Sequence, residues 1–157
     1  MAGVMHKNMN GILNENAFEI SSEEDLGVYL DRLDSFEYAE AWLNNDEKEL
    51  ICLLKAQDHM FLMYLRYPGD SGFITKGSDE SDSSIEFVLS NGQADEYPLS
   101  WCIDCESAYK GLAYFYENNG EQSPYIEWQE GRLIHNKAIS RGRQKALLVP
   151  HYAFYRR

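Results

Sequence analysis

No apolar stretch in this sequence approaches the roughly 18 residues that a membrane-spanning helix needs. The first ten residues have neither an apolar core nor a small-residue cleavage site, so no secretory signal is visible. Cysteine is scarce and odd in number, three in 157 residues; without an export signal the expectation is reduced thiols in a cytoplasm. Length allows one domain with a single core and leaves too little chain for two. Disorder throughout is excluded, because 44% hydrophobic and 13% aromatic residues supply ample apolar mass to offset ordering entropy.

Bases are scarce over most of the chain and acids are missing at its end. There are 26 acids against 14 Lys and Arg, for a formal net charge of -12. No acid follows Glu130, yet Arg132, Lys137, Arg141, Arg143, Lys145, Arg156 and Arg157 do. A region as acidic as residues 1–131 repels nucleic acid and anionic membranes at any distance that salt does not screen, and attracts a basic protein.

The chain reads as α+β: an antiparallel sheet of about five strands with two main helices packed on it. Residues 1–14 show no helix or strand period and read as a flexible lead-in. Ser21 and Glu24 have capping-box spacing ahead of a stripe at Leu26, Tyr29, Leu30 and Leu33, which predicts a helix over about 22–33. Residues 38–43, 50–56 and 60–67 read as a three-stranded meander. Its runs are too apolar for a sheet with one wet face, so at least the central strand should be covered on both sides. Residues 85–89 and 96–103 read as two further strands around the hairpin signal Ser90, Asn91, Gly92, with Pro98 marking an edge or entry position. Asp104 is a good N-cap for a second helix over about 105–118, stopped by Asn119 and Gly120. A short extended piece at 125–128 closes a domain over 15–131. Residues 132–157 form a basic tail read as lying outside the fold.

Catalytic signatures are missing. There is no Gly-x-Ser-x-Gly elbow and no phosphate-binding glycine loop. Cys102 and Cys105 form a Cys-x-x-Cys at a helix start, where a thiol pKa can fall. A thioredoxin fold, however, needs a buried parallel strand before the motif and further elements after it, and Tyr97-Pro98 stands there instead. The pair is read as packing residues. No second cysteine pair or His-x-His completes a zinc site, and the His-x-Glu and Pro-Cys-x-x-Cys of zinc deaminases are missing. His59 is read as a solvated turn residue. The expectation is a binding module, not an enzyme, with no catalytic residues, no metal site and no cofactor.

An ordered series of segments then carries a resemblance. It runs from the acid-capped helix, through a meander ending in Tyr64 to Gly69 and the segment Gly72 to Ser78, to Pro98 to Ile103 leading into the Asp104 helix. Phe115-Tyr116, Gly120, Pro124 and a closing Glu127-Trp128 complete it. Over about residues 18–130 this resembles the family-one immunity proteins of bacterial polymorphic toxin systems, which include inhibitors of cytidine-deaminase toxins. The tail after Gly131 has no counterpart in it. The resemblance implies a cytoplasmic protein that binds one cognate toxin with a basic active-site surface and occludes it. A nucleic-acid-targeting deaminase is the first expectation; a nuclease toxin, or an acidic adaptor unconnected with toxins, is the alternative. The acidic charge leads to the expectation of no direct contact with nucleic acid or membrane, and the resemblance transfers no binding residue. Charge alone nominates Asp70, Asp79, Glu80, Asp82, Glu86, Asp95 and Glu96 as the partner-binding set, with Tyr64, Tyr67, Phe73 and Trp101 as candidate aromatic anchors that are more often core.

Overall fold

The computed structural model describes residues 8–46 and 48–133. The lead-in before Asn8 and the tail beyond Leu133 lie outside the described residues. What is described is an α+β single domain with nine strands, more than the five expected, because several are short.

The first departure from expectation is at the start. Residues 9–13, taken for lead-in, are a strand, β1 (Met9–Leu13), that pairs with β2 (Asn16–Ile20) and, on its other edge, with β3 (Tyr38–Asn45). The turn between β1 and β2 uses Asn14 and Glu15 in left-handed conformation, at φ 47° and 73°. A turn needing φ > 0 twice normally announces itself by glycine, and none stands here.

Helix α1 (Glu23–Ser35) starts one residue later than its capping signal placed it. Ser22, not Ser21, is the N-cap: its hydroxyl accepts from the Asp25 amide at 3.0 Å, and the Asp25 carboxylate accepts from the Ser21 amide and hydroxyl, each at 3.0 Å. These bonds hold the Asp25 carboxyl below the usual carboxylate range. The predicted stripe buries Leu26, Tyr29 and Leu33. The Tyr29 hydroxyl lies 3.0 Å from the Ile12 carbonyl and 2.8 Å from that of Trp42, fixing the helix over β1 and β3.

Strands β3, β4 (Glu49–Ala56) and β5 (His59–Leu65) make the predicted antiparallel meander, in register Trp42 with Cys52 and Cys52 with Met63. Two three-residue strands extend it: β6 (Phe73–Thr75), which the polar surroundings concealed, and β9 (Trp128–Glu130). The seven-stranded order is β2-β1-β3-β4-β5-β6-β9. A separate two-stranded sheet is made by β7 (Ser84–Val88) and β8 (Ala94–Pro98), followed by a 3₁₀ turn at Leu99–Trp101. Helix α2 (Cys105–Glu117) is capped as expected, Asp104 accepting from the Ser107 amide at 2.7 Å, and ends where Asn119 and Gly120 turn left-handed.

The apolar runs of the meander are explained by cover on both sides. One face of the sheet carries Ala41, Leu43, Ile51, Leu53 and Leu62 against Leu33, Leu112 and Phe115 of the two helices. The opposite face carries Trp42, Cys52, Leu54, Phe61 and Met63 against Phe87, Tyr97 and Trp101 of the small sheet and its 3₁₀ turn. With each buried Leu, Ile or Phe contributing about 1.5–3 kcal/mol, the small sheet is part of the core and not an appendage. No helix among the described residues is long and apolar enough to cross a membrane.

Candidate protein-binding surface

The β7–β8 hairpin is held over the large sheet at both ends. At its base the Phe61 ring meets Phe87, Tyr97 and Trp101, with centroids 5.2–5.3 Å apart. At its tip the Glu40 carboxylate, on β3 and 4% exposed, accepts from the Ser90 amide at 3.0 Å, the Ser90 hydroxyl at 2.8 Å and the Trp42 indole N–H at 2.9 Å. A buried carboxylate is costly unless its oxygens are satisfied, and three donors satisfy this one. Nothing in the sequence marked Glu40 for this role, because its donors lie on the same strand two residues on and fifty residues away.

The loop before β7 is stitched to the 3₁₀ turn. The Thr75 hydroxyl donates to the Trp101 carbonyl at 2.8 Å, and the Gly77 amide donates to the Ser100 carbonyl at 2.7 Å. A Cβ on Gly77 would stand 1.8 Å from the Cys102 carbonyl oxygen, so no residue but glycine fits without backbone movement. Asp79 then folds the loop back by accepting from the Ser81 amide at 2.8 Å and from its hydroxyl, which lowers its carboxyl pKa.

Alternation along β7 and β8 sorts the acids. Phe87 and Tyr97 point inward and are buried, so Glu86 and Glu96 point outward and are exposed. They are direct cross-strand partners. Asp79, Glu80 and Asp82 are exposed on the adjoining loop. Among the described residues every ion pair lies elsewhere: Arg66 with Asp70, Lys76 with Glu127, Lys110 with Glu106 and Arg132 with Glu130. No base stands in sequence between Lys76 and Lys110. This wall, the outer hairpin face together with its adjoining loop, carries five exposed carboxylates that pair with no cation among the described residues.

Two of the seven nominated residues are corrected. Asp70 is not on that wall and is 7% exposed. It receives the Arg66 guanidinium through two bonds of 2.7 and 2.8 Å and the Arg66 amide at 3.0 Å, closing the turn after β5. The Arg66 bonds hold its carboxyl down at about 2 against the opposing effect of burial. Asp95 is on β8 but faces inward opposite Phe87, is 9% exposed, and accepts from the Gln93 side-chain amide at 2.9 and 3.1 Å. Both were nominated by charge alone, and charge does not report which way a side chain points.

Of the aromatic candidates, Tyr64 and Trp101 are core, at 6% and 5% exposure. The Tyr64 hydroxyl donates to the Gly120 carbonyl at 2.7 Å. Phe73 is half-buried beneath the Arg66 guanidinium, 5.1 Å from its ring centroid, and Tyr67 is 54% exposed beside it.

The Cys-x-x-Cys pair has none of the electrostatics of a reactive site. Both thiols are free. Burial, then the charge of Asp79, pushes the Cys102 thiol up to about 12. Burial and then Asp58 raise that of Cys105 as well, overriding the helix N-terminus. His59, expected to be a solvated turn residue, instead begins β5, and its Nδ1 is enclosed without a hydrogen-bond partner. Among the described residues no group of three His, Cys, Asp or Glu side chains is placed to hold a metal ion.

Comparison with known proteins returned no matching family model and no matching curated protein.

Proposed function

We propose that this protein is an immunity protein that binds a cognate bacterial toxin in the cytoplasm and occludes its active site or substrate groove. The observation that carries the reading is the outward wall of Asp79, Glu80, Asp82, Glu86 and Glu96, exposed and without a cation among the described residues. A toxin that acts on nucleic acid keeps a basic groove for phosphates, and a rigid acidic wall is complementary to such a groove. Coulomb attraction of this kind speeds encounter and selects partners more than it adds raw affinity. The rigidity comes from Phe61, Glu40 and Gly77, which hold hairpin and loop so that little ordering entropy is lost on binding. The sequence resemblance to family-one immunity proteins supports the same reading without fixing the toxin's chemistry; a deaminase is the first candidate and a nuclease the second. The protein's own part in this is steric and electrostatic, without a chemical step.

The test is co-expression. The adjacent reading frame is induced in a bacterium with and without this chain, and the pair is then captured on an affinity tag. Growth arrest relieved by the native chain, and not by Glu86→Lys with Glu96→Lys, is the expected result. A toxin neutralised equally well by that folded double variant overturns the assignment of the surface. A neighbour that is not toxic, or whose toxicity this chain does not relieve, overturns the immunity reading and leaves an acidic adaptor.

A further inference from the structure

Asn-Gly occurs three times in the chain, at Asn10-Gly11, Asn91-Gly92 and Asn119-Gly120. Asparagine is a thermolabile residue, and before glycine it is most exposed to attack: with no Cβ in the way, the glycine amide nitrogen can reach the asparagine side-chain carbonyl carbon. In an unfolded chain the three pairs have the same chemistry. The fold separates them.

Asn10-Gly11 lies inside β1, with β2 on one side and β3 on the other. Gly11 is buried, and a Cβ there would stand 3.1 Å from the Tyr29 ring and 3.2 Å from the Ile20 side chain, so the backbone has little room to swing. Asn119-Gly120 ends α2. The Gly120 amide donates to the Phe115 carbonyl at 2.8 Å, the Gly120 carbonyl accepts from the Tyr64 hydroxyl at 2.7 Å, and the Asn119 carbonyl accepts from the Asn45 side-chain amide at 2.8 Å. Attack at either place requires a sheet seam or a buried helix end to come apart, an opening close to unfolding of the domain.

Asn91-Gly92 is at the tip of the β7–β8 hairpin, and both residues are exposed. Two bonds close the turn: the Gly92 amide donates to the Leu89 carbonyl at 2.9 Å, and the Leu89 amide to the Gln93 carbonyl at 2.8 Å. Among the described residues nothing lies within 4 Å of where a Cβ on Gly92 would stand. Releasing the first of those bonds frees the nucleophile without breaking a core contact. The Asn91 Oδ1 accepts from the Gln93 amide at 2.9 Å, so a donor already sits on the oxygen that takes up negative charge when its carbon is attacked.

We propose that Asn91 is a site of spontaneous deamidation in the folded protein, and that Asn10 and Asn119 are protected from it. The Gly92 nitrogen bonds to the Asn91 Cγ and the Cγ–Nδ2 bond breaks. The Gly92 amide proton passes by way of water to the departing nitrogen, which leaves as ammonia, and a cyclic imide remains. Water then opens the imide at either carbonyl, giving aspartate or isoaspartate; nothing is oxidised or reduced. Both products put a further carboxylate on the acidic hairpin, beside the Ser90 amide and hydroxyl that hold Glu40. The isoaspartyl product also adds a methylene to the main chain, which shifts Ser90 against Glu40. The chemistry stands apart from the toxin reading; only its consequence, a changed pull on a basic partner, rests on that reading.

The test follows the full chain at pH 8 and 37 °C, native and in 6 M guanidinium, by peptide mass spectrometry with electron-based fragmentation, which tells isoaspartate from aspartate. Each site's native rate is divided by its own rate in guanidinium. Asn91 is expected to keep at least about tenfold more of its unfolded rate than Asn10 or Asn119, because its opening is local and theirs is not. A smaller gap overturns the proposal, and so does a native Asn91 that stays intact over a period in which it converts in guanidinium. None of these outcomes bears on whether the chain neutralises a toxin, so the two proposals fail separately.

Discussion

Glu86 and Glu96 face each other across the β7–β8 ladder, two like charges in register on an exposed sheet surface. Such a pair works against the fold by about 0.2–1 kcal/mol. Glu96→Gln is therefore expected to stabilise the protein by about 0.5 kcal/mol at low salt, raising its melting temperature by about 2 °C. The gain should fade in 0.5 M NaCl, and the same variant should associate more slowly with a basic partner. Calorimetry and stopped-flow association at two salt concentrations measure both, and a variant that loses stability contradicts the relationship.

Asp70 contributes to acid sensitivity. Its folded carboxyl is held at about 2, against about 3.9 in an unfolded chain. A carboxyl with a depressed folded pKa adds stability above its unfolded value, and that stability is lost as pH falls from about 4 toward 2. Asp70→Asn should cost about 2 kcal/mol at pH 7 in urea unfolding, and the gap to the native protein should shrink to roughly a third of that by pH 2.5. A gap independent of pH would show that the Arg66 pair does not set it.

Gly77→Ala places a methyl group against the Cys102 carbonyl, a backbone atom that cannot rotate aside. We expect a loss of about 2–4 kcal/mol from the displaced loop and the broken Gly77–Ser100 hydrogen bond. The amide resonances of Thr75, Gly77 and Trp101 should shift together. Gly27→Ala, in α1 with open space around the added carbon, is the contrasting control and should gain up to about 1 kcal/mol.

Raised pKa values make the thiols of Cys102 and Cys105 slow nucleophiles. In the native protein at pH 7.5 both should react with a disulfide reagent at least about tenfold more slowly than in 6 M guanidinium, where their pKa returns to about 8.5. Rapid native labelling of either would reopen a redox role.

The sequence was legible where local signals agreed with burial. The capped stripe of α1, the Asp104 cap of α2, the three apolar runs and the Ser90–Gly92 turn each appear within a residue or two of their expected places. Cover on both faces followed from the run of apolar residues in β4, and both faces are covered. What was not legible depends on distant partners. β1 and β2 turn on Asn14 and Glu15 without a glycine, and β6 is three residues whose strand character comes only from β5 and β9. In the candidate surface, alternation within β7 and β8 separates Glu86 and Glu96 from Asp95, and only the strand register shows it. Asp70 was misplaced because a turn-closing carboxylate and a solvated one share the same composition.

The strand order has a consequence for synthesis. From β2 to β6 the widest pairing is β1 with β3, across β2 and α1, as in Asn10 with Asn44, but the last seam reaches further and joins residues 73–75 to residues 128–130. A growing chain can therefore assemble its meander early, yet β6 keeps an open edge until Glu130 has left the ribosome, with the hairpin and α2 made in between. Nascent chains stalled before that point carry an unpaired edge that invites strands from other chains. Pairing with β9 is the step that covers the β6 edge and hands the outer position to a strand of only three residues, Trp128–Glu130.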